Sequence, residues 1–127
     1  MTELLSNELF RITLDDGIAR VTRTPSPPPP ASQMAGFYEL LITTLRRSAA
    51  RRVLVDLRGG PAGNNDPEFE RASEGWRHAL ATDFERAAIL VRTAVGKLHI
   101  QRLAREIGRA PTIFMDEAEA LAYLRAR

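Results

Sequence analysis

The sequence predicts an α/β fold: a mixed, mostly parallel sheet of four to five strands that opens with a β-hairpin and carries four helices. Three observations predict it. The stretch RRVLVDLRGGPAGNN at 51–65 is a short apolar run, rich in β-branched residues, that breaks into a glycine-rich loop, the pattern of a central strand buried on both faces. Two further runs, RAAILVR at 86–92 and TIFM at 112–115, are each preceded by a segment of helical periodicity. Strands that alternate with helices imply right-handed crossovers and parallel pairing.

The elements follow in order. Residues 1–8 lead in loosely or add a short edge. Phe10, Ile12 and Leu14 alternate with Arg11 and Thr13, giving a strand with one apolar face. Asp15-Asp16-Gly17 then supplies hairpin turn chemistry, because glycine accepts positive φ freely. Residues 18–24 return as a second strand whose poorer alternation suits a position near the sheet edge. TPSPPPP at 24–30 is five-sevenths proline and reads as a stiff extended connector inside a single domain spanning 1–127.

Residues 32–47 form the first helix, with Ser32 as N-cap and Met34, Phe37, Leu40, Leu41 and Leu45 on one face. Arg46 and Arg47 end it, where cations complement the helix dipole. Asp66-Pro67-Glu68 starts the second helix, with an apolar stripe of Phe69, Ala72, Trp76, Ala79 and Leu80. Thr93 or Ala94 opens the third helix. It turns Ile100, Leu103 and Ile107 to the sheet, supported by Val95 and Ala104, and ends at Gly108. After Pro111 and the last strand, Asp116 caps the final helix, with Glu119 completing a capping-box-like pair. Ala118, Leu121, Ala122 and Leu124 close that helix onto the sheet.

Composition narrows the function. With no cysteine in 127 residues, disulfides, thiolate catalysis and Cys-based zinc sites are excluded. The N-terminus lacks signal-peptide features, no run reaches the roughly 20 apolar residues of a membrane span, and a cytoplasmic setting is expected. Lys97 is the sole lysine among 18 basic residues, and 16 acids offset them to a net charge of +2, so no strong field would draw in nucleic acid. An arginine-dominated composition of this kind has a bacterial look.

In α/β sheets, ligands and partners meet the carboxyl ends of the strands. That rim gathers Asp56, Arg58, Gly59, Gly60, Asn64, Asn65, Arg92, Thr93 and Asp116. The candidate binding set is Asp56, Arg58, Gly59, Asn64, Asn65, Arg92 and Thr93. No catalytic set is visible: Asp56 has no histidine or second carboxylate at identifiable spacing, and there is no G-x-S-x-G elbow. His78 and His99 lie on different helices and on faces that do not meet, so no metal site is expected. The GGPAG loop at 59–63 lacks the spacing and the lysine of a phosphate-binding loop.

Taken together, the hairpin, VLVDLR, AAILVR and TIFMDEAEALAYL resemble the SpoIIAA-like branch of the STAS superfamily over roughly 9–125. The most specific echo is the ending, 117–124. The resemblance implies helices packed mainly on one face of the sheet and no enzymatic activity; no cofactor is expected. It further implies a regulatory or protein-interaction module. In anti-sigma antagonists of that superfamily a serine opens the helix after the central strand; here that stretch is GNNDP, with no phosphoacceptor. The alternative is a small-molecule binder, for an acyl chain or nucleotide, with Phe37, Phe69 and Trp76 lining a pocket. The edge strand or the first helix would suit a homodimer.

Overall fold

The Asp-Gly pair makes the tight turn that starts the sheet. Asp16 and Gly17 both have positive φ, 53° and 76°, as a two-residue hairpin requires. This turn joins β2 (Phe10–Asp15) to β3 (Ile18–Arg23), with Asp15 opposite Ile18. The structure, a computed structural model, describes residues 1–61, 66–105 and 112–127. The expectations for Gly63, Asn64, Asn65, Ile107, Gly108 and Pro111 fall outside the described residues.

Residues 2–6 take the second of the two expected roles. As β1 (Thr2–Ser6) they pair antiparallel with β2, with a bulge between Glu3 and Leu5. The fold class holds, and the described sheet has six strands in sequential order, β1 to β6. Because β1 takes the edge, β3 lies inside the sheet rather than near its margin. Its parallel neighbour β4 (Arg52–Asp56) is central, followed by β5 (Arg86–Leu90) and β6 (Thr112–Phe114).

Five helices are described instead of four. They are α1 (Ala31–Ser48), α2 (Pro67–Ala72), α3 (Glu74–Thr82), α4 (Ala94–Arg105) and α5 (Glu117–Arg125). The expected second helix is divided at Ser73, whose hydroxyl donates to the Glu70 carbonyl. Such local bonding competes with the helix ladder. Asp66 caps α2 as expected, its carboxylate accepting from the Glu68 amide at 2.9 Å. Ser32 does not cap α1. The helix starts one residue earlier, and the Pro30 carbonyl accepts from the Gln33 and Met34 amides.

Alternation along β4 and β5 divides the core. Val53, Val55, Ala87, Ile89 and Val91 join one cluster with Met34, Leu41, Leu45, Trp76 and Leu80 of α1 and α3. Leu54, Ala88 and Leu90 join the other with Ala120 and Leu124 of α5. Helices therefore lie mainly on one face, and α5 covers the other. Four residues expected to pack inward are exposed: Leu40, Val95, Ala118 and Ala122. Helical periodicity places a stripe to within one residue: in α5 Leu124 is buried and Leu121 packs against the core as expected, and Ala120 takes the inward place given to Ala118 and Ala122.

Arginines from the strand starts fasten the end of α5. Arg52 donates to the Leu124 and Ala126 carbonyls, and Arg86 to those of Tyr123 and Ala126. The Arg86 guanidinium also sits 5.5 Å from the Tyr123 ring centre. Cations here satisfy carbonyls that have no partner within the helix. Since α5 is the one described helix on its face, Leu124→Ala should cost about 3 kcal/mol, roughly 10 °C in melting temperature. Leu40→Ala, at a position 43% exposed, should change stability by about 0.5 kcal/mol or less. Equal losses in urea or thermal melts would overturn this division of the core.

Candidate functional site

Asp56 ends β4 on the α5 side of the sheet, one alternation beyond Leu54. It is 6% exposed, and among the described residues it is the one buried carboxylate. Arg58 folds back onto it. The Arg58 backbone amide donates to Oδ1 at 3.1 Å, and its guanidinium donates through Nε to Oδ1 and through Nη2 to Oδ2, both at 3.0 Å. This is the two-pronged geometry that favours arginine over lysine. Arg20 of β3 donates to Oδ2 at 2.8 Å. Both arginines also reach Glu117, the first residue of α5.

The result is two carboxylates and two guanidiniums joined by hydrogen bonds across β3, β4, the turn after it and α5. Burial pushes the Asp56 carboxyl up, but the hydrogen bonds from Arg58 and Arg20 outweigh it and hold it below the usual carboxylate range. The hydrogen bond and charge of Arg20 hold Glu117 low as well. Burial works against the charge on Arg20, yet Glu117 and Asp56 leave its proton bound more firmly than usual. Hydrogen bonding to Asp56 does the same for Arg58.

The rest of the candidate set divides. Arg92, exposed, donates to the Arg58 carbonyl at 3.0 Å, so it joins the same rim. Thr93 starts α4: its hydroxyl accepts from the Gly96 amide and its carbonyl from the Lys97 amide, both at 3.0 Å. Gly59 and Gly60 pass close over Arg23. A Cβ at Gly60 would stand 2.6 Å from the Arg23 Cγ, so the loop needs glycine there. Asn64 and Asn65 lie outside the described residues.

Sequence reasoning missed Arg20 and Glu117. The signal for Arg20 was present: a cation two residues from Ile18 falls on the same strand face, where only a carboxylate makes it welcome. Glu117 adjoins the N-cap Asp116, whose side chain accepts from the Ala118 amide at 2.9 Å.

A second feature opens on the opposite face of the sheet. Between the sheet and α2, α3 and α4 lies a cavity of about 500 Å³. Phe10, Val55, Ile89 and Val91 form its floor, and Phe69, Trp76, Leu80, Ile100 and Leu103 its sides. Of the three aromatics expected to line a pocket, Phe69 and Trp76 do so. Phe37 packs against the core cluster and does not reach it. Polar bonds tie the walls together. Arg77 of α3 donates to the Leu103 carbonyl of α4 at 3.3 Å and the Glu70 carbonyl at 2.7 Å. Arg102 pairs with Glu70 at 2.6 Å. His99 stands half-buried at the rim, where burial lowers its affinity for a proton. His78 is exposed on α3, as its helical position implies.

The depressed carboxyls set the acid behaviour. Groups whose folded values lie below their unfolded ones, about 3.9 for Asp and 4.3 for Glu, add stability that is present above those values and lost as pH falls below them. Asp56→Asn should lower stability at pH 7 by about 2 kcal/mol and flatten the decline below roughly pH 4. Urea melts across pH 2.5–7 check it; parallel wild-type and variant curves would show that the network does not couple to folding.

No family model matches the chain, and no curated protein does. Among solved structures, the chain is similar to the protein TM1081, determined by NMR, with a TM-score of 0.66 and 9% identity over 97% of this chain and 94% of the other. It is also similar to an uncharacterised protein of the DUF3478 family from Shewanella loihica PV-4, described as having a SpoIIAA-like fold. There the TM-score is 0.62 and the identity 14% over 94% of this chain and 98% of the other. The two likenesses, each spanning nearly both chains, bear out the resemblance read from the strand and helix pattern: the protein has the SpoIIAA-like α/β fold.

Proposed function

We propose that the protein is a non-catalytic binding module whose cavity receives a small molecule with an apolar body. The observation that carries this reading is the mostly apolar hollow of about 500 Å³ between the sheet and the helices α2–α4. That volume falls within the range of ligand sites, roughly 300–1,000 Å³. A core closes such a space when nothing needs to enter it, because interiors pack as densely as organic crystals.

Binding is favoured over catalysis by the state of the carboxylates. A proton-transfer group works best with its pKa near the working pH. Asp56 and Glu117 are both displaced downward, away from neutrality, by arginines already bonded to them. Their role in this reading is to hold α5 and the rim.

A regulatory protein contact is the second reading. It is favoured by Val95 and Leu98 on α4, 77% and 62% exposed beside Arg92 and Thr93. In this reading Arg58, Gly59, Arg92 and Thr93 form the polar part of a contact whose apolar part is α4.

Native mass spectrometry of the purified chain, together with titration of the neutral dye N-phenyl-1-naphthylamine, tests the first reading. Ala104→Phe places a ring in the hollow and should weaken dye binding by at least about tenfold. Dye that binds wild type and variant alike overturns the cavity reading. If the rim reading holds instead, Leu98→Asp, at an exposed position that does not line the cavity, should abolish capture of a partner while leaving dye binding in place.

A further inference from the structure

We propose that the molecule received by this cavity is an anionic amphiphile, whose charged head pairs with Arg23 beside Tyr38 and Arg77 while its apolar part occupies the hollow. This inference rests on the cavity reading and adds the chemical class of the ligand.

Arg23 is the last residue of β3, and alternation from Ala19 and Val21 turns it to the cavity side. It is half-buried, with its guanidinium 5.7 Å from the Phe10 ring centre. Its hydrogen bonds go through Nη1 to the Thr24 carbonyl at 2.6 Å and, more weakly, to the Thr24 hydroxyl at 3.4 Å. Nε and Nη2 donate to no described residue. Three of the other half-buried arginines are paired with carboxylates: Arg20 and Arg58 have Asp56 and Glu117, and Arg52 has Glu85. Two more, Arg77 and Arg86, each donate to two backbone carbonyls. Arg23 has no carboxylate among the described residues.

A cation drawn partly out of water without a counter-ion is unfavourable. Here burial lowers the hold of Arg23 on its proton, and the nearest influence acting the other way is the phenol of Tyr38. Tyr38 is stacked on Trp76 with ring centres 6.5 Å apart and planes 15° apart, and it meets Phe10 at 6.0 Å. Burial raises its pKa, and the charges of Arg23 and Arg77 both act on it. Its hydroxyl, a neutral donor at pH 7, forms no hydrogen bond to a described residue. Arg77 also lines the hollow, and the one acid among the described residues that line it, Glu70, is already paired with Arg102. Two cations thus flank one neutral donor in the lining of an apolar space, a setting for a carboxylate or a phosphate joined to a hydrocarbon or ring system.

The chain has a single tryptophan, Trp76, so its fluorescence reports on the cavity directly. Decanoate, decyl phosphate, decanol and inorganic phosphate are titrated into the full chain. At least one of the two charged amphiphiles should bind about tenfold or more tightly than decanol, and the tighter of the two identifies the head. Arg23→Gln should bring that ratio close to one, and Arg23→Lys should keep most of it. If Arg23→Gln does not fold by circular dichroism, Tyr38→Phe carries the test, with an expected loss of about fivefold for the anion. Equal binding of the three decyl compounds, or a ratio unchanged in the variants, overturns the anion assignment and leaves the cavity reading standing. Inorganic phosphate that binds as tightly as decyl phosphate overturns the amphiphile. No binding by any of the four, with no dye binding, overturns both.

Discussion

The arrangement around Asp56 depends on one requirement: a carboxylate buried at the end of the central strand must be neutralised where it stands. Two guanidiniums do this, one from the neighbouring strand and one from the turn that follows. Sharing Glu117 between them draws in the first turn of α5. The position of α5 is therefore coupled to the geometry of β3, β4 and the Arg58 turn. Removing the carboxylate would leave two cations competing for a single acid, which is why such networks are costly to break even when forming them contributes little net stability.

Arginine recurs because each of these tasks needs several directed donors. Arg58 makes two side-chain bonds to one carboxylate, Arg52 and Arg86 each serve two carbonyls at the end of α5, and Arg77 bridges α2, α3 and α4. Lysine offers a compact charge without that fixed fork. A composition with one lysine among 18 basic residues, readable in isolation as a bias of the source, has structural employment here.

What could be read in the sequence was whatever depends on neighbours in the chain. The Asp-Gly turn, the Asp66 and Asp116 caps and the burial of Val53, Leu54 and Val55 are local or strictly periodic, and all are found. The five residues of β1 carry no alternation of their own, so the sequence does not mark them as a strand; pairing with β2 makes them one. Arg20 and Glu117 are 97 residues apart, and no local rule joins them. The cavity was harder still. Phe69, Trp76 and Leu80 form the same apolar stripe whether the space they face is full or empty, since a void is a difference between volumes supplied by distant segments.

The two ends of α5 are fastened by different chemistry. At its start the acceptors are carboxylates, which acid can protonate; at its finish they are peptide carbonyls, which stay neutral across the same range. In acid the helix should peel from its first turn while its last turn stays anchored, so its departure from the sheet has a built-in direction.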